Sequence, residues 1–354
     1  MKRILVLGMG KVGSLVGVLL SKNFDVKGLD KNPPHYKYRL PFEVIQGDVS
    51  SPEFLDSIFN DFDTVVSALP YFLNKTVALK AAEKGLHYFD LTEDVETTNY
   101  IRDLAKKAKI VMAPQCGLAP GFIGIVGANL THEFDKLRDI ELRVGALPRY
   151  PNGLMAYSFT WSPQGVINEY INDAEAIHNG ERKMVTSLDG LEYINIEGKE
   201  FEAFTTSGGL GTMCETYEGK VDTLNYKTIR YPGHCKLMRF LIQELIMKDK
   251  KEQLTAILEN AKPPVKEDIV YVYAVVEGWH NKKLSRSEFY KAYSPKEIAG
   301  KTWRAISWTT AASIAAVVEM VNDGSLPSSG FIKQEEIPLD SFLKTKSGSL
   351  FSED

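Results

Sequence analysis

Excess basic charge, paired cysteines and long apolar runs are all scarce in this 354-residue chain. Its 42 Lys and Arg face 46 Asp and Glu, a net charge of −4, and no Lys/Arg-rich block interrupts that balance. A nucleic-acid partner is therefore not expected. Cys116, Cys214 and Cys235 are odd in number and share no ligand-like spacing. They argue against a disulfide framework or a metal site and fit a reducing, cytoplasmic setting. HExxH, a CxxC pair and a Ser-His-Asp order are also missing, which leaves hydrolytic and metal-dependent chemistry unsupported. The most apolar late segment, 306–321, carries Ser307, Thr309, Thr310, Ser313 and Glu319. It is too short and too polar to span a bilayer and reads as a buried helix, so no membrane partner is expected. The first residues read directly as a strand, so no signal peptide is expected.

What remains is the composition of an ordinary globule, 44% apolar and 25% charged, at a length that suggests two domains. The informative stretch is the first thirty residues. An apolar run over 2–7 stops at Gly8-Met9-Gly10-Lys11-Val12-Gly13, after which Val12, Leu15, Val16, Leu19 and Leu20 fall on one helical face. Strand, glycine turn and helix together make the dinucleotide-binding fingerprint G-x-G-x-x-G. Gly8 allows the tight turn, Gly10 admits a pyrophosphate to the backbone, and Gly13 lets the helix lie on the strand. The phosphates then meet unpaired N–H groups at the positive end of the helix dipole. A second apolar run, 24–29, ends in Asp30, whose carboxylate suits the ribose hydroxyls. That carboxylate points to NAD, while the adjacent Lys31 leaves NADP open. The bland alternative is a structural turn in a sheet that has lost its cofactor.

Downstream the chain alternates strands and helices. A loop at 32–34 precedes a strand at 43–46 and a helix after Ser50-Ser51-Pro52. A strand at 64–69 breaks at Pro70, and a helix at 74–84 closes at Gly85. A strand at 87–91, a helix at 95–108 and a strand at 110–113 follow. The pattern predicts an α/β Rossmann-type doubly wound parallel sheet over 1–121, completed by 302–354 through a helix at 302–322. A frayed tail is expected over 347–354. Between them, 122–301 opens with a helix at 122–130 and then reads as strands at 139–147, 157–161, 184–188, 191–196, 224–231 and 269–276. Helices at 235–248 and 252–259 interrupt these. This predicts an α+β second domain on a mostly antiparallel sheet, serving substrate binding and dimerisation, with the site in a cleft between the domains.

Ligands of open parallel sheets bind beyond the carboxyl ends of the strands. That singles out Asp48 and Val49, then Ala68, Leu69 and Tyr71, and then Cys116. Asp48 is placed to bond the adenine amino group or is a simple loop aspartate. Ala68 and Leu69 offer close approach without bulk, and Tyr71 faces the nicotinamide or fills a rim. Asp90 and Glu93 follow the fifth strand and would attract a cationic amine and help deprotonate it, unless they are exposed loop carboxylates. In the second domain, Thr206 and Ser207 precede paired glycines, as in an anion nest or a plain turn. Arg230 in Thr228-Ile229-Arg230-Tyr231-Pro232-Gly233-His234 suits a bidentate substrate carboxylate, or pairs with a glutamate. His234 is an acid–base candidate or a helix-start residue. The catalytic candidates are thus Tyr71, His234 and Asp90, with no metal.

Together, the GMGKVG turn, the run Cys116-Gly117-Leu118-Ala119-Pro120-Gly121, the TSGG stretch and TIRYPGH resemble the saccharopine dehydrogenase family, and within it the lysine 6-dehydrogenases. The resemblance implies a Rossmann domain, a saccharopine-reductase-like second domain, homodimers, and NAD(P)-dependent oxidation at an amino or imino carbon of a lysine-pathway compound. On that basis the expected reaction converts the terminal amine of L-lysine to 2-aminoadipate semialdehyde. Saccharopine or carboxynorspermidine chemistry is the alternative within the class. A non-catalytic dinucleotide-binding sensor is the alternative outside it.

Overall fold

The computed structural model describes residues 1–33, 39–261, 265 and 267–352, so the expected loop at 32–34 leaves the described residues at Pro34. The first strands and helices are β1 (Arg3–Leu7), α1 (Gly13–Leu20), β2 (Asp25–Asp30), β3 (Glu43–Gln46), α2 (Pro52–Ile58), β4 (Thr64–Ser67) and α3 (Tyr71–Lys84). After them come β5 (His87–Asp90), α4 (Val95–Ala105), β6 (Val111–Ala113) and α5 (Phe122–Thr131). The middle of the chain forms β7 (Lys136–Pro148), α6 (Pro163–Ile171), β8 (Ala174–His178), β9 (Glu181–Val185), β10 (Glu192–Ile196) and β11 (Lys199–Thr205). It continues through α7 (Met213–Tyr217), β12 (Thr223–Arg230), α8 (His234–Arg239), α9 (Lys251–Ala261), β13 (Asp268–His280) and β14 (Lys283–Tyr293). The remaining elements are β15 (Lys296–Ile298), β16 (Lys301–Trp303), α10 (Ala305–Asp323), β17 (Gly330–Phe331) and α11 (Leu339–Lys344). Two compact units result: 1–125 with 307–354, and 126–306.

Unit 1 is a seven-stranded sheet in the order β17-β6-β5-β4-β1-β2-β3, with every pairing parallel. The order reverses at β1, between β2 and β4, so the doubly wound sheet with its switch point is present. Local chemistry explains the elements. In β1 all four apolar residues from Ile4 to Leu7 are buried, as a strand covered on both faces requires. Ser51 caps α2 by accepting from the Phe54 N–H, with Pro52 in the first turn. Asp94 does the same for α4 through the Thr97 N–H at 2.7 Å. α3 ends at Gly85, φ 73°, but starts three residues earlier than expected, directly after Pro70. The proline stops the strand and opens the helix in one step. Leu5, Leu7, Val65, Val77, Tyr88 and Ile101 centre the core. Residues 347–352 are packed rather than frayed: Ser347 donates to Glu319 and the Phe351 ring stacks on Phe122 at 4.0 Å. By length and hydropathy α10 qualifies as a membrane span, but Ile314, Ala315, Val317 and Val318 within it are fully buried in the fold.

Unit 2 carries a sheet ordered β10-β11-β12-β7-β13-β14, with β8 added beside β12 and β9 beside β8. All its pairings are antiparallel except β12 with β7. Three expectations fail here. Residues 157–161 are not a strand: Tyr157 and Phe159 are buried by packing in the core cluster and pair with no strand among the described residues. The helix expected over 235–248 breaks into α8, a π-helical turn at Phe240–Glu244 and a 3-10 turn at Met247–Asp249. Ile246, with φ 54°, cannot continue a right-handed helix. The strand placed at 184–188 lies earlier, as β9, while α6, β8, β11 and β14 had no counterpart in the sequence reading. β14 is mostly exposed along one edge, so no apolar alternation marks it.

Candidate functional site

The glycine turn of unit 1 is built by backbone contact. A Cβ on Gly13 would lie 1.9 Å from the Gly8 carbonyl oxygen, and one on Gly8, where φ is +85°, would lie 2.8 Å from that of Ala68. Helix, turn and the β4 exit thus touch through main chain, and no side chain fits between them. Gly10 differs, because a Cβ there would meet nothing within 4 Å. The open side of the loop is therefore above Gly10, next to a helix start that no side chain caps. Free space and first-turn N–H groups at one point fit a dinucleotide pyrophosphate. Met9 and Val12 lie in the same turn; the Met9 side chain is fully buried against Gly28, so Met9 faces the loop only through its backbone.

Asp30 is engaged inside the turn. Its Oδ2 accepts the Met9 N–H at 2.7 Å and its Oδ1 the Asn32 N–H at 2.8 Å. It braces the glycine loop, a role the sequence reading did not include. Asp48 is a loop aspartate: Oδ1 accepts from the Ser50 N–H and hydroxyl, and Oδ2 pairs with Lys31 at 2.8 Å. The Lys31 contact, joined by Ser50, holds its carboxyl well below the usual range. Val49 is buried beside it. Ala68 and Leu69 are half-buried at the β4 exit, and Tyr71 opens α3, its phenol pushed up first by burial and then by Asp94 and Glu93.

At the ends of β5 and β6 the structure corrects two readings. The Asp90 carboxylate, offered as a partner for a cationic amine, is fully buried. It accepts from Tyr88 Oη at 2.8 Å, the Thr92 N–H at 2.9 Å and the Gln115 N–H at 3.1 Å. It ties two loops together, and burial pushes it up to about 6. Cys116 is equally enclosed, its Sγ against the Ala113 carbonyl and Gln334 Nε2, and burial raises its thiol. Glu93, beyond them, is half-buried, and desolvation pushes it up to about 7.

In unit 2, Arg230 is the last residue of β12 and is buried. Its Nε donates to Tyr170 Oη at 2.8 Å and its Nη1 to the Ile229 carbonyl at 2.8 Å. The guanidinium carbon lies 4.9 Å from the Tyr157 ring centroid and 5.7 Å from that of Tyr170. No glutamate forms an ion pair with it among the described residues. His234 completes the group, with Nε2 3.1 Å from Tyr170 Oη and Nδ1 3.1 Å from the Met155 carbonyl. Buried Glu202 accepts from the Gly233 N–H at 2.8 Å and from the Cys235 N–H, which holds the turn that starts α8. Thr206 and Ser207 do not form an open nest. The Ser207 N–H already donates to the Glu169 carbonyl at 3.1 Å, while Thr206 Oγ1 is buried with no partner among the described residues. Tyr157, Tyr170, Glu169 and Glu202 were missed by sequence reasoning. Tyr170 sits on the unread helix α6, and its partners are 60 and 64 positions away.

With this geometry in view, known proteins supply the family. The model for the saccharopine dehydrogenase NADP binding domain matches residues 4–113, and that for the saccharopine dehydrogenase C-terminal domain matches 117–345. The chain is 25% identical over 213 residues to the alpha-aminoadipic semialdehyde synthase of Arabidopsis thaliana, covering 56% of this chain and 20% of that protein. It is 24% identical over 229 residues to the saccharopine dehydrogenase (NADP(+), L-glutamate-forming) of Saccharomyces cerevisiae, covering 60% and 50%. It spans half or less of the length of these curated relatives. The solved structure of apo histidine-tagged saccharopine dehydrogenase (L-Glu forming) from Saccharomyces cerevisiae has the same fold, at a TM-score of 0.79 and 18% identity, with 97% of this chain and 96% of that one covered. A cofactor-binding glycine turn on a doubly wound sheet, followed by the second domain characteristic of the same enzymes, places this chain in the saccharopine dehydrogenase family of nicotinamide-dependent oxidoreductases.

Proposed function

We propose that the chain oxidises a C–N bond of a lysine-pathway amino acid, with a substrate carboxylate on Arg230. The observation that carries this reading is Arg230 itself: a buried guanidinium bonded through Nε and Nη1, whose Nη2 has no protein partner among the described residues. A buried cation with an unused donor is placed for an anionic ligand. The dinucleotide, when bound, supplies the hydride acceptor. The lip of the glycine loop around Gly10 and Lys11 would hold its phosphates, with Ala68 and Leu69 at the β4 exit beside the loop. The protein contributes position and proton handling. Glu93, with its carboxyl pushed up to about 7, suits removal of a proton from the substrate ammonium better than the enclosed Asp90. Tyr71, close to Glu93 and Asp94, would line the same rim.

The names of the relatives move the preferred substrate from free lysine to saccharopine. In that reaction the hydride leaves the carbon of the lysine moiety that bears the secondary amine. Water adds to the resulting imine, and the C–N bond breaks to give glutamate and the semialdehyde. L-lysine would follow the same course and release ammonia; residues 204–209 and 224–234 favour it by their resemblance to lysine 6-dehydrogenases. The cofactor reading moves as well. Asp30 pointed to NAD, yet its carboxylate serves the Met9 and Asn32 N–H groups, and Lys31 stands next to it. We place NADP first, with Lys31 turning from Asp48 to the 2′-phosphate. The test is reduced-nicotinamide absorbance: its appearance with saccharopine or L-lysine and NADP or NAD, and its loss with a diamine–aldehyde pair and NADPH or NADH. Dinucleotide binding without turnover of any substrate would make the chain a sensor instead.

A further inference from the structure

Three different elements meet at the Tyr170 hydroxyl: the end of β12, the penultimate residue of α6 and the first residue of α8. Their hydrogen bonds run in one direction. A carbonyl only accepts, so the contact from His234 Nδ1 to the Met155 oxygen places the imidazole proton on Nδ1. Nε2 is then an acceptor, and the Tyr170 hydroxyl donates to it at 3.1 Å. With its proton directed at His234, Tyr170 Oη offers its lone pairs to Arg230 Nε at 2.8 Å. Tyr170 Oη and both ring nitrogens of His234 each have a partner, and the direction reverses nowhere. The Tyr157 ring covers one face of the guanidinium. Burial opposes the Arg230 charge, while Tyr170, Tyr157 and Glu169 around it support it.

Resting on the reading of Arg230 as carboxylate anchor, we infer that Tyr170 and His234 are positioning residues. His234 orients the Tyr170 hydroxyl, Tyr170 fixes the plane of the guanidinium, and the Nη2 edge is thereby presented to a substrate carboxylate. His234 is then no general acid or base, because both ring nitrogens are committed. A guanidinium without its Nε partner would rotate about the side-chain bonds, and the bidentate geometry would be held only part of the time.

The experiment compares the parent with Arg230→Lys, Tyr170→Phe, His234→Gln and the Arg230→Lys/Tyr170→Phe double variant. Saccharopine and L-lysine are assayed beside L-lysinamide, which lacks the carboxylate. NADP affinity and melting temperature accompany each variant. Tyr170→Phe should raise KM for the carboxylate substrate about tenfold while kcat and NADP affinity stay near the parent values. It should leave KM for lysinamide unchanged and add nothing to Arg230→Lys in the double variant. His234→Gln, which retains an acceptor and a donor, should show a smaller rise. A rise in KM with Arg230→Lys but none with Tyr170→Phe or His234→Gln overturns the inference and spares the anchor. An unchanged KM with Arg230→Lys overturns the anchor and the inference together. A fall in kcat alone for Tyr170→Phe assigns it to proton transfer and overturns positioning.

Discussion

The glycine loop of unit 1 and the Arg230 group of unit 2 are held in place by opposite means. In the loop, side chains are kept out so that backbone can meet backbone: Gly13 against Gly8, Gly8 against Ala68. Around Arg230, side chains from distant elements are brought in, and each makes a directed bond to the next. The first kind of site is damaged by adding an atom, the second by removing one. The two therefore predict different failures, and substitutions can separate them.

Adding an atom should do the most harm. Gly13→Ala puts a methyl 1.9 Å from the Gly8 oxygen, a contact that no rotamer relieves, and is expected to cost about 3 kcal/mol or more of unit 1 stability. Gly10→Ala has open space and should melt like the parent while losing cofactor affinity. Equal melting temperatures for Gly13→Ala and the parent would refute the backbone account. Next in size is the Asp90 carboxyl, raised by burial from 3.8 to about 6. The folded state holds this proton more tightly than the unfolded chain does. Stability from this group is therefore full below about pH 4, falls as pH rises to about 6, and is level above that, a change of up to about 3 kcal/mol. Denaturant melts across pH should show this slope in the parent and lose it in Asp90→Asn.

Removing an atom from unit 2 should follow. Glu202→Ala removes the acceptor of the exposed Gly233 N–H and of the buried Cys235 N–H. The expected loss is about 2 kcal/mol, with KM rising because His234 sits on that turn. A stability loss without a change in KM would detach Glu202 from the site. The smallest effect concerns Lys31. If it serves the 2′-phosphate, Lys31→Ala should cut NADP affinity about tenfold, or about 1.4 kcal/mol, and spare NAD. A parent that already prefers NAD tenfold would instead return the ribose role to Asp30.

How far the sequence could be read follows the same division. The βαβ start was legible because its signals are local: an apolar run, three glycines at fixed spacing and a helical face all lie within twenty residues. Ser51 and Gly85 were likewise legible as caps, since a cap acts on N–H or C=O groups three or four residues away. Arg230 and His234 stood out by residue type. Their connection did not, because Tyr170 reaches them from α6 and no spacing rule links residues 60 positions apart. Asp90 misled for the converse reason. Its position at the end of β5 is that of a ligand-side acid, and only the packing of Tyr88, Thr92 and Gln115 around it turns it into a brace.

By itself, then, the amino-acid order determined the parallel sheet, the place of its glycine turn and the acid at the end of β2, because backbone sterics and apolar periodicity act over a few residues. Tertiary structure alone decided which polar groups are satisfied. Asp30 was drawn to Met9, Asp48 to Lys31, Asp90 to the loops it joins, and Arg230 to Tyr170 with one donor left over. A buried charge or hydroxyl must find its partner wherever the fold brings one within about 3 Å, and that distance is set by packing across the whole unit.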